Sequence, residues 1–447
     1  MKRNGLLCDG IQRRNFLSVG SAGLLGSTLI LPDILKGQEE NEHFKVDSSK
    51  DQRSLIVVFL RGGLSTIDTW DLKPNAPSEF RGDFNPISTN VPGIHLCEHL
   101  PLVAQQMDKF SLIRSFANKN SSHGPADHYM LTGYLPEAGF NASVTPNNQR
   151  PSHGSIIAHK LGGRGAVPPY VCVPDIHPSC GSSYLGARYA PFSVNADPND
   201  PGFTVRDLLP PVDLHPSRNN ARRKLLSQVD QFQKSSISQA NTKAKTVVTF
   251  RKKALELMTS TTAKKAFNIH TESDKVREQY GRNSLGQSCL MARRLVEAGV
   301  RCTTIQHVDW DTHDNNFSTL KKTLLPLLDS AMSTLFSDLA YRGLLEKTIV
   351  IVTGEFGRTP RINGNAGRDH WGGGFTVAIG GGGVQGGRIV GASTDRAEGP
   401  KDSPHGPEDL NATIYHLLGI NPKEEFLTAE GRPIPIINNG SIIKELM

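Results

Sequence analysis

The amino-acid sequence predicts an α/β protein with a mostly parallel central sheet and helices on both of its faces. Apolar runs rich in β-branched residues recur along the chain, and such runs are typical of strands buried on both faces. The runs cover residues 55–60, 110–113, 170–173, 303–308, 348–353 and 375–379. Most are separated by longer segments with helical spacing, which parallel strands require as crossover connections. With 37% hydrophobic and 21% charged residues, the composition excludes a disordered, collagenous or coiled-coil chain.

The N-terminal segment resembles a twin-arginine export signal. Arg13 and Arg14 are followed by the apolar pair Phe16 and Leu17 and then by a weakly apolar, glycine-rich stretch. An amphipathic helix of a cytosolic protein is the alternative, which the glycines disfavour. The stretch is too short to span a membrane. We therefore expect the twin-arginine export machinery to deliver the protein to the periplasm or cell surface. Cleavage of the signal and its retention as a membrane tether both stay open.

The chain divides into segments of different composition. Residues 1–37 form the predicted signal, residues 38–53 a polar linker, and residues 54–447 a single domain. Within this domain, residues 217–299 predict a basic helical insertion, because residues 218–265 hold twelve Lys and Arg against two acidic residues. Such a surface could bind an anionic polymer, but long exposed helices are commonly rich in lysine for solubility alone. No nucleic-acid partner is expected, since the sequence contains no nucleic-acid-binding motif and few aromatic residues for base stacking.

Two later segments predict helices that pack on the sheet. Residues 324–345 place apolar side chains on one face before Gly343, as a crossover helix does. Residues 409–419 read as an amphipathic helix that ends at a glycine.

The cysteines limit the metal chemistry of the chain. Six cysteines are present without a Cys-x-x-Cys pair, so a zinc ion held by cysteines is excluded. Whether Cys172 and Cys180 form a disulfide after export stays open.

Polar clusters lie at or near the predicted strand ends, where ligands of open α/β sheets gather. The first cluster follows residues 55–60. Its glycines allow backbone amides to approach a ligand, and Asp68 or Asp71 could supply an oxygen ligand. The second cluster holds Ser122 and His123 at the start of a predicted helix. Free backbone amides and the helix dipole stabilise a nucleophile or an anion there, although a serine at this point is also a common N-cap.

The third cluster follows residues 303–308 and contains Asp309, Asp311 and His313. Crowded carboxylates repel one another unless a cation or water reaches them. A bound metal ion is therefore one explanation, and a solvated acidic loop is the other.

The fourth cluster contains Glu355 and Arg358 after residues 348–353, with Asp369 and His370 shortly beyond. Carboxylates and imidazole together suit a divalent cation. An arginine here could hold a phosphate or sulfate group through two hydrogen bonds. A structural salt bridge between Glu355 and Arg358 is the alternative.

Taken together, five motifs resemble those of the exported bacterial family known as domain of unknown function 1501. They are Gly-Gly-x-Ser-x-x-Asp, Trp-Asp-Thr-His, Gly-Glu-Phe-Gly-Arg-Thr-Pro, Gly-Arg-Asp-His-Trp and Asp-Leu-x-Ala-Thr-Ile-Tyr-His-x-Leu-Gly. That family is in turn similar to the alkaline phosphatase and sulfatase superfamily. The resemblance implies an alkaline-phosphatase-like fold with one or two divalent metals at the carboxyl edge of the sheet.

The resemblance also implies one metal half-site. In the superfamily, Asp-x-x-x-His follows a strand and a later His precedes another strand. Asp309 and His313 have this spacing, and His370 precedes residues 375–379. Asp311 competes with Asp309 for the role of ligand.

The sequence departs from the superfamily at the second half-site and at the nucleophile. Arg61 stands where the first metal-binding Asp is expected, with Asp68 as the nearest substitute, and Glu355 stands where an Asp-His pair is expected. Counting back from Leu-Thr-Gly places His123 at the position of the nucleophile, with Ser122 adjacent. His123 could then be a ligand or a nitrogen nucleophile.

These observations lead to the hypothesis of an exported metal-dependent hydrolase of phosphate or sulfate esters. The metal would be Zn, Mn, Ca or Mg, Glu355 would complete its shell or act as a base, and Arg358 would hold the anion. The candidate metal ligands are Asp68, Asp309, Asp311, His313, Glu355, Asp369 and His370. The candidate catalytic residues are Ser122, His123, Glu355 and Arg358. The alternative is a non-catalytic protein of the same fold that binds an envelope polysaccharide or a partner protein.

Overall fold

The computed structural model describes residues 53–208, 256–427 and 431–447. The predicted signal segment 1–37 and the linker up to residue 52 lie outside the described residues. The strands, in chain order, are β1 (Ser54–Leu60), β2 (Pro86–Ser88), β3 (His95–Cys97), β4 (Phe110–Phe116), β5 (Tyr170–Val173), β6 (Phe192–Ser193), β7 (Cys302–His307), β8 (Thr348–Thr353), β9 (Gly357–Arg358), β10 (His370–Trp371), β11 (Phe375–Gly380), β12 (Ile389–Val390), β13 (Glu425–Leu427) and β14 (Pro433–Pro435).

The central sheet has eight strands in the order β12-β4-β11-β8-β1-β7-β5-β6. Its neighbours are parallel except that β11 runs antiparallel to both β4 and β8. Each of the six runs that the sequence predicted forms a strand of this sheet. The predicted mostly parallel α/β class is therefore confirmed. Separate two-stranded sheets are formed by β2 with β3, β9 with β10, and β13 with β14.

The helices connect and cover these strands. They are α1 (Ser78–Arg81), α2 (Pro101–Ala104), α3 (His123–Thr132), α4 (His153–Leu161), α5 (Thr261–Phe267), α6 (Asp274–Tyr280), α7 (Ser284–Glu297), α8 (Asn316–Thr319), α9 (Leu325–Tyr341) and α10 (Pro407–Leu417). A π-helical turn, Leu320–Leu324, joins α8 to α9. Helix α9 matches the predicted crossover helix and ends just before Gly343, which adopts a positive φ of 66°. No helix among the described residues is both long and apolar enough to span a bilayer.

Both faces of the sheet are covered by helices, as predicted. Successive side chains of a strand point to opposite faces of the sheet, so neighbouring residues of β1 contact the helices on opposite sides. Ile56 and Val58 join a large apolar core with side chains of α7 and α9. Val57 and Phe59 face the opposite layer and line a small apolar space with residues of α3, α4 and α10.

The predicted basic insertion reaches too far along the chain. Residues 209–255 lie outside the described residues, but α7, within the predicted range 217–299, is part of the core. This helix is buried over most of its length, packs against α9 and leads directly into β7. The polar, helix-forming composition of this range suggested a surface helix, yet Arg293 is 1% exposed and pairs with Glu272, Glu297 and Asp338.

Contacts within the chain define two units. The described residues of 44–424 and 435–447 form one compact unit, which contains the sheet and every residue of the candidate site. The described residues of 425–434 are assigned to a second unit.

Candidate metal centre

The candidate site lies where three neighbouring parallel strands end. Strands β8, β1 and β7 are adjacent and parallel, so their carboxyl ends meet at one edge of the sheet. Gly62 follows β1, Asp311 follows β7 and Glu355 follows β8. The backbone N–H of Gly62 lies 2.9 and 3.1 Å from the two carboxylate oxygens of Glu355. This edge is also where a parallel sheet binds its ligands in other α/β proteins.

Asp311 lies at the centre of three histidines. Its Oδ1 atom is 3.0 Å from Nε2 of His370 and 3.0 Å from Nε2 of His313. Its Oδ2 atom is 3.2 Å from Nε2 of His123. The ligand atoms of His123, Asp311 and His370 all lie within 4.8 Å of one another. Nε2 of His313 lies beside this group of three and contacts two of its members, Asp311 and His370.

The other ring nitrogen of each histidine contacts a hydrogen-bond acceptor. Nδ1 of His123 is 2.6 Å from Oε1 of Glu355, and Nδ1 of His313 is 2.7 Å from Oδ1 of Asp369. Nδ1 of His370 is 3.0 Å from the carbonyl oxygen of Ser121. Carboxylate and carbonyl oxygens accept a hydrogen bond, so Nδ1–H is the donor in each contact, and a ring in its neutral form then has its unprotonated nitrogen, Nε2, toward the centre. Histidines that bind metal are held in this way in other proteins.

The facing nitrogen atoms require a positive charge between them. Nε2 of His313 and Nε2 of His370 lie 3.0 Å apart, and both are 3.0 Å from the carboxylate oxygen Oδ1 of Asp311. Lone pairs and a carboxylate at these distances repel one another in the absence of a proton or cation. Three imidazoles and one carboxylate are a donor set that Zn²⁺ and similar transition metals accept. The residues present therefore fit a divalent metal.

The charges around the centre shift several pKa values. Burial opposes ionisation of Asp311, but its hydrogen bond and attraction to Arg358 lower its pKa to about 2. The hydrogen bond to Glu355 raises the pKa of His123. Burial and the nearby charge of Asp127 raise the pKa of Glu355. Burial lowers the pKa of His370, which favours the neutral ring that a metal requires.

The predicted ligands separate into an inner and an outer group. Asp311, His313 and His370 lie at the centre together with His123, which the sequence proposed as catalytic. Glu355 and Asp369 were predicted as ligands, but they accept hydrogen bonds from the Nδ1 atoms of His123 and His313. Each carboxylate therefore orients a ligand and does not face the centre itself.

Asp309 and Asp68 do not reach the centre. Asp309 is exposed in a turn and has a positive φ of 76°. Because this turn changes the direction of the chain, Asp311 and not Asp309 contacts the histidines. Asp68 is 1% exposed and lies 2.8 and 2.9 Å from Nε and Nη2 of Arg368. It also accepts hydrogen bonds from Ser65 and Asn316 at 2.6 and 2.9 Å. Asp68 is thus part of a buried structural ion pair.

Arg358 is not placed to hold a substrate anion. Its guanidinium is fully buried, and its Nε donates to the carbonyl of Gly63 at 3.0 Å. Nη1 donates to the carbonyl of Arg368 at 3.1 Å, and Nη2 contacts Gly62 and Asp311. Burial and these contacts do not favour the anion-binding role that the sequence suggested for this residue. Its acidic partner is Asp311.

Ser122 lies beside the centre, directly before His123 at the start of α3. Its backbone N–H donates to Oδ1 of Asn120 at 2.8 Å, and its side chain makes no capping hydrogen bond to α3. The hydroxyl is exposed. Ser122 thus occupies the N-cap position of α3, as one interpretation of the sequence had it, but its side chain does not cap the helix.

Several residues of this region were not among the candidate site residues, although Ser121 and Asp127 belong to the second cluster of the sequence. Ser121 anchors both His370 and Gly372, the latter through its Oγ at 2.8 Å. Asp127 is buried one turn after His123, and Arg61 and His177 approach it at 3.6 and 3.5 Å. The helical spacing of four residues between His123 and Asp127 was an available signal. No signal in the sequence pointed to His177, which lies in the loop after β5.

These contacts describe an α/β protein with a cluster of histidines and carboxylates at the carboxyl edge of its sheet. The chain belongs to the family described as Protein of unknown function (DUF1501), whose model matches residues 52–447. Among curated proteins, none matches the sequence.

Solved structures of similar chains include three enzymes. The lipoteichoic acid synthase LtaP from Listeria monocytogenes has a TM-score of 0.39 and 10% identity, over 88% of this chain and 76% of that one. The PsFucS1 sulfatase from Pseudoalteromonas sp. has a TM-score of 0.38 and 12% identity, over 82% and 68%. The phosphonate monoester hydrolase SpPMH from Silicibacter pomeroyi has a TM-score of 0.39 and 12% identity, over 88% and 76%. Values this low transfer neither an activity nor site residues to this chain.

Proposed function

We propose that this protein is an exported metal-dependent hydrolase of phosphate or sulfate esters. The observation that carries the proposal is the convergence of Nε2 of His123, His313 and His370 on the carboxylate of Asp311. Each Nδ1 atom is held by an acceptor, which is the arrangement of metal-binding histidines. A divalent cation bound there would polarise an ester oxygen and promote attack by water or by the hydroxyl of Ser122.

The chain's own residues have distinct roles in this proposal. His123 acts as a ligand rather than a nucleophile, because both of its ring nitrogens are occupied by Glu355 and the centre. Glu355 and Asp369 orient the rings of His123 and His313. Ser122 has an exposed hydroxyl at the start of α3 and is the candidate nucleophile, since the helix N-terminus stabilises negative charge.

Metal analysis and activity assays test this proposal together. We expect the purified full chain to retain a stoichiometric transition metal and to hydrolyse aryl phosphates or aryl sulfates when supplied with Zn, Mn, Ca or Mg. Asp311→Asn should lose both metal and turnover. Asp314→Asn is the matched control, because Asp314 is exposed and its carboxylate contacts Asn365. A protein that binds no metal under these conditions contradicts the proposal.

The second candidate is a non-catalytic protein that binds an anionic polysaccharide or a partner protein. The position of His123 favours this candidate. His123 stands where the superfamily has its nucleophile, but both of its ring nitrogens contact acidic residues of the cluster. Binding of a sulfated polysaccharide that persists in Asp311→Asn, with no turnover of any ester by the metal-loaded protein, would support it.

Export is tested separately with the N-terminal segment. We expect residues 1–52 to carry a folded reporter protein across the membrane through the twin-arginine pathway. Replacing Arg13 and Arg14 with lysine should block this transport, because the pathway reads the arginine pair. Arg3→Lys is the matched control. Transport that is unaffected by the double substitution contradicts the export proposal.

A further inference from the structure

Arg61 differs from the other arginines at this edge of the sheet. Arg358 and Arg368 are fully buried, and their guanidinium groups donate to backbone carbonyls and carboxylates. Arg61 directly follows β1, and its side chain is 35% exposed. Within the described residues, neither of its Nη groups has a hydrogen-bond partner. It is therefore the arginine of this group with donors available to a ligand.

A buried carboxylate directs the Arg61 side chain. Nε of Arg61 lies 3.6 Å from Oδ2 of Asp127, which is 1% exposed. Oδ1 of Asp127 lies 3.5 Å from Nε2 of His177. Nδ1 of His177 accepts the backbone N–H of Ser179 at 3.1 Å, so the proton of the neutral ring is on Nε2 and faces Asp127. Asp127 thus attracts the Nε side of the guanidinium, and the two Nη groups remain free.

Two connections place Arg61 beside the candidate metal centre. Asp127 lies one turn after His123 on α3, and residues four apart share one face of a helix. On the other side, Gly62 follows Arg61 in the chain and donates to Glu355, which in turn holds His123. Arg61 therefore lies between Asp127, which is on the helix of His123, and Gly62, which donates to the carboxylate that holds His123.

We propose that Arg61 binds the tetrahedral oxyanion group of the substrate, and this inference rests on the function proposed above. Two free N–H groups of a planar guanidinium match two oxygens of a phosphate or sulfate. Asp127 limits the motion of the side chain, so less rotational freedom is lost when the anion binds. Arg61 takes the role that the sequence suggested for Arg358.

Binding of inorganic phosphate and sulfate tests the inference apart from catalysis. Titration calorimetry on the full chain, with and without bound Mn²⁺, should show that Arg61→Gln weakens phosphate binding by about 10–100-fold. Metal content, measured by elemental analysis, should not change. Arg61→Lys keeps the charge and should recover part of the affinity. Arg188→Gln, which removes an exposed arginine stacked on Tyr189, is the matched control.

Loss of Arg61 leaves the buried Asp127 without its positive partner and could disturb folding. The double variant Arg61→Gln, Asp127→Asn removes this unpaired charge and should show the same loss of phosphate binding with an intact thermal transition. Phosphate binding equal to that of the unmodified protein in the double variant overturns the inference while the metal centre stands. If the unmodified protein binds no metal, the proposed function is refuted instead. Phosphate binding by the unmodified protein and by the Arg61 variants, measured without metal, then still tests the anion site.

Discussion

At the residue scale, Asp311 organises the candidate centre. Its carboxylate contacts three histidines that come from α3, the loop after β7 and β10, and it pairs with the buried Arg358. The carboxylate and the guanidinium cancel each other in charge. Glu355 and Asp369, which contact His123 and His313, add two negative charges beside the centre when they are ionised. Because the three imidazoles are neutral when they bind a metal, a divalent cation would balance these two carboxylates.

Asp369→Asn tests the role of the outer carboxylates. Asp369 accepts a hydrogen bond from Nδ1 of His313 at 2.7 Å, and an amide at this position orients the ring less well. We expect metal affinity to fall by about 10–100-fold, as when outer partners of ligating histidines are removed. A competition titration with a metal chelator measures this. Asp314→Asn serves as control, and equal affinities of the two variants would contradict an orienting role for Asp369.

Asp68→Asn tests the assignment of Asp68 to a structural ion pair. The substitution leaves the fully buried guanidinium of Arg368 without its negative partner. We expect the free energy of unfolding to fall by about 3–5 kcal/mol, as found for broken buried ion pairs. Chemical denaturation measures the change, and Asp395→Asn is the control because Asp395 is almost fully exposed. Unchanged stability together with lost metal would instead make Asp68 a ligand.

We expect the buried side chain of His153 to lower the free energy of unfolding in acid. Burial lowers the pKa of His153 to about 4, whereas an unfolded histidine titrates at about 6.5. Between these values the unfolded chain takes up a proton that the folded chain does not, so stability falls as the pH drops from 6.5 toward 4. In His153→Leu the loss at pH 4 should be smaller by about 3 kcal/mol.

Urea denaturation of both proteins at several pH values measures this difference. His95→Leu is the control, because His95 is exposed. A pH dependence in His153→Leu that matches the unmodified protein would exclude His153 as its source.

At the scale of elements, the turn after β1 sets the distance between two strand ends. Gly62 has a φ of +114°, and a Cβ atom placed on it would lie 2.5 Å from the backbone nitrogen of Asp311. A side chain there would be strained and would also displace the loop that carries Asp311. The glycine therefore permits the close approach of the turns after β1 and β7.

Gly62→Ala tests this close approach. We expect destabilisation of about 1–3 kcal/mol from backbone strain, and in addition a weaker affinity for metal because Asp311 is displaced. Gly93→Ala is the matched control, since Gly93 also has a positive φ of 83° but a Cβ atom placed on it would meet no atom within 4 Å. Metal binding in Gly62→Ala as tight as in Gly93→Ala would show that the turn does not position Asp311.

At the scale of the whole molecule, the centre joins segments that are distant in sequence. A cation bound by α3, by the loop after β7 and by β10 would hold these segments together only in the folded chain. A ligand that binds only the folded state stabilises it by about 2.7 kcal/mol when its concentration is 100 times its dissociation constant.

Thermal unfolding with added metal tests this linkage. We expect the midpoint to rise with the concentration of Zn or Mn and to fall on addition of a chelator. Asp311→Asn should unfold at the same temperature with and without metal. A midpoint of the unmodified protein that is insensitive to metal would argue against a site formed by these segments.

The strands of the sheet could be predicted because a strand buried on both faces is a continuous apolar run in the sequence. The runs 55–60, 303–308 and 348–353 are apolar throughout, and they form the adjacent strands β1, β7 and β8. The residue types at the ends of these strands were also visible. In contrast, the polar, helix-forming composition of residues 217–299 suggested a surface insertion, whereas α7 within this range is buried and its Arg293 pairs with Glu272 and Asp338 outside the helix.

The sequence by itself therefore determined the α/β class and placed His123, Asp311, His313 and His370 among the candidates. Only the tertiary structure decided which acidic residues face the histidines and which pair with arginines. Asp68 and Arg368 are 300 positions apart, and His123 and Glu355 are 232 apart. Hydrophobic periodicity is a local property, whereas the pairing of charges depends on the direction of each turn and on packing between distant segments.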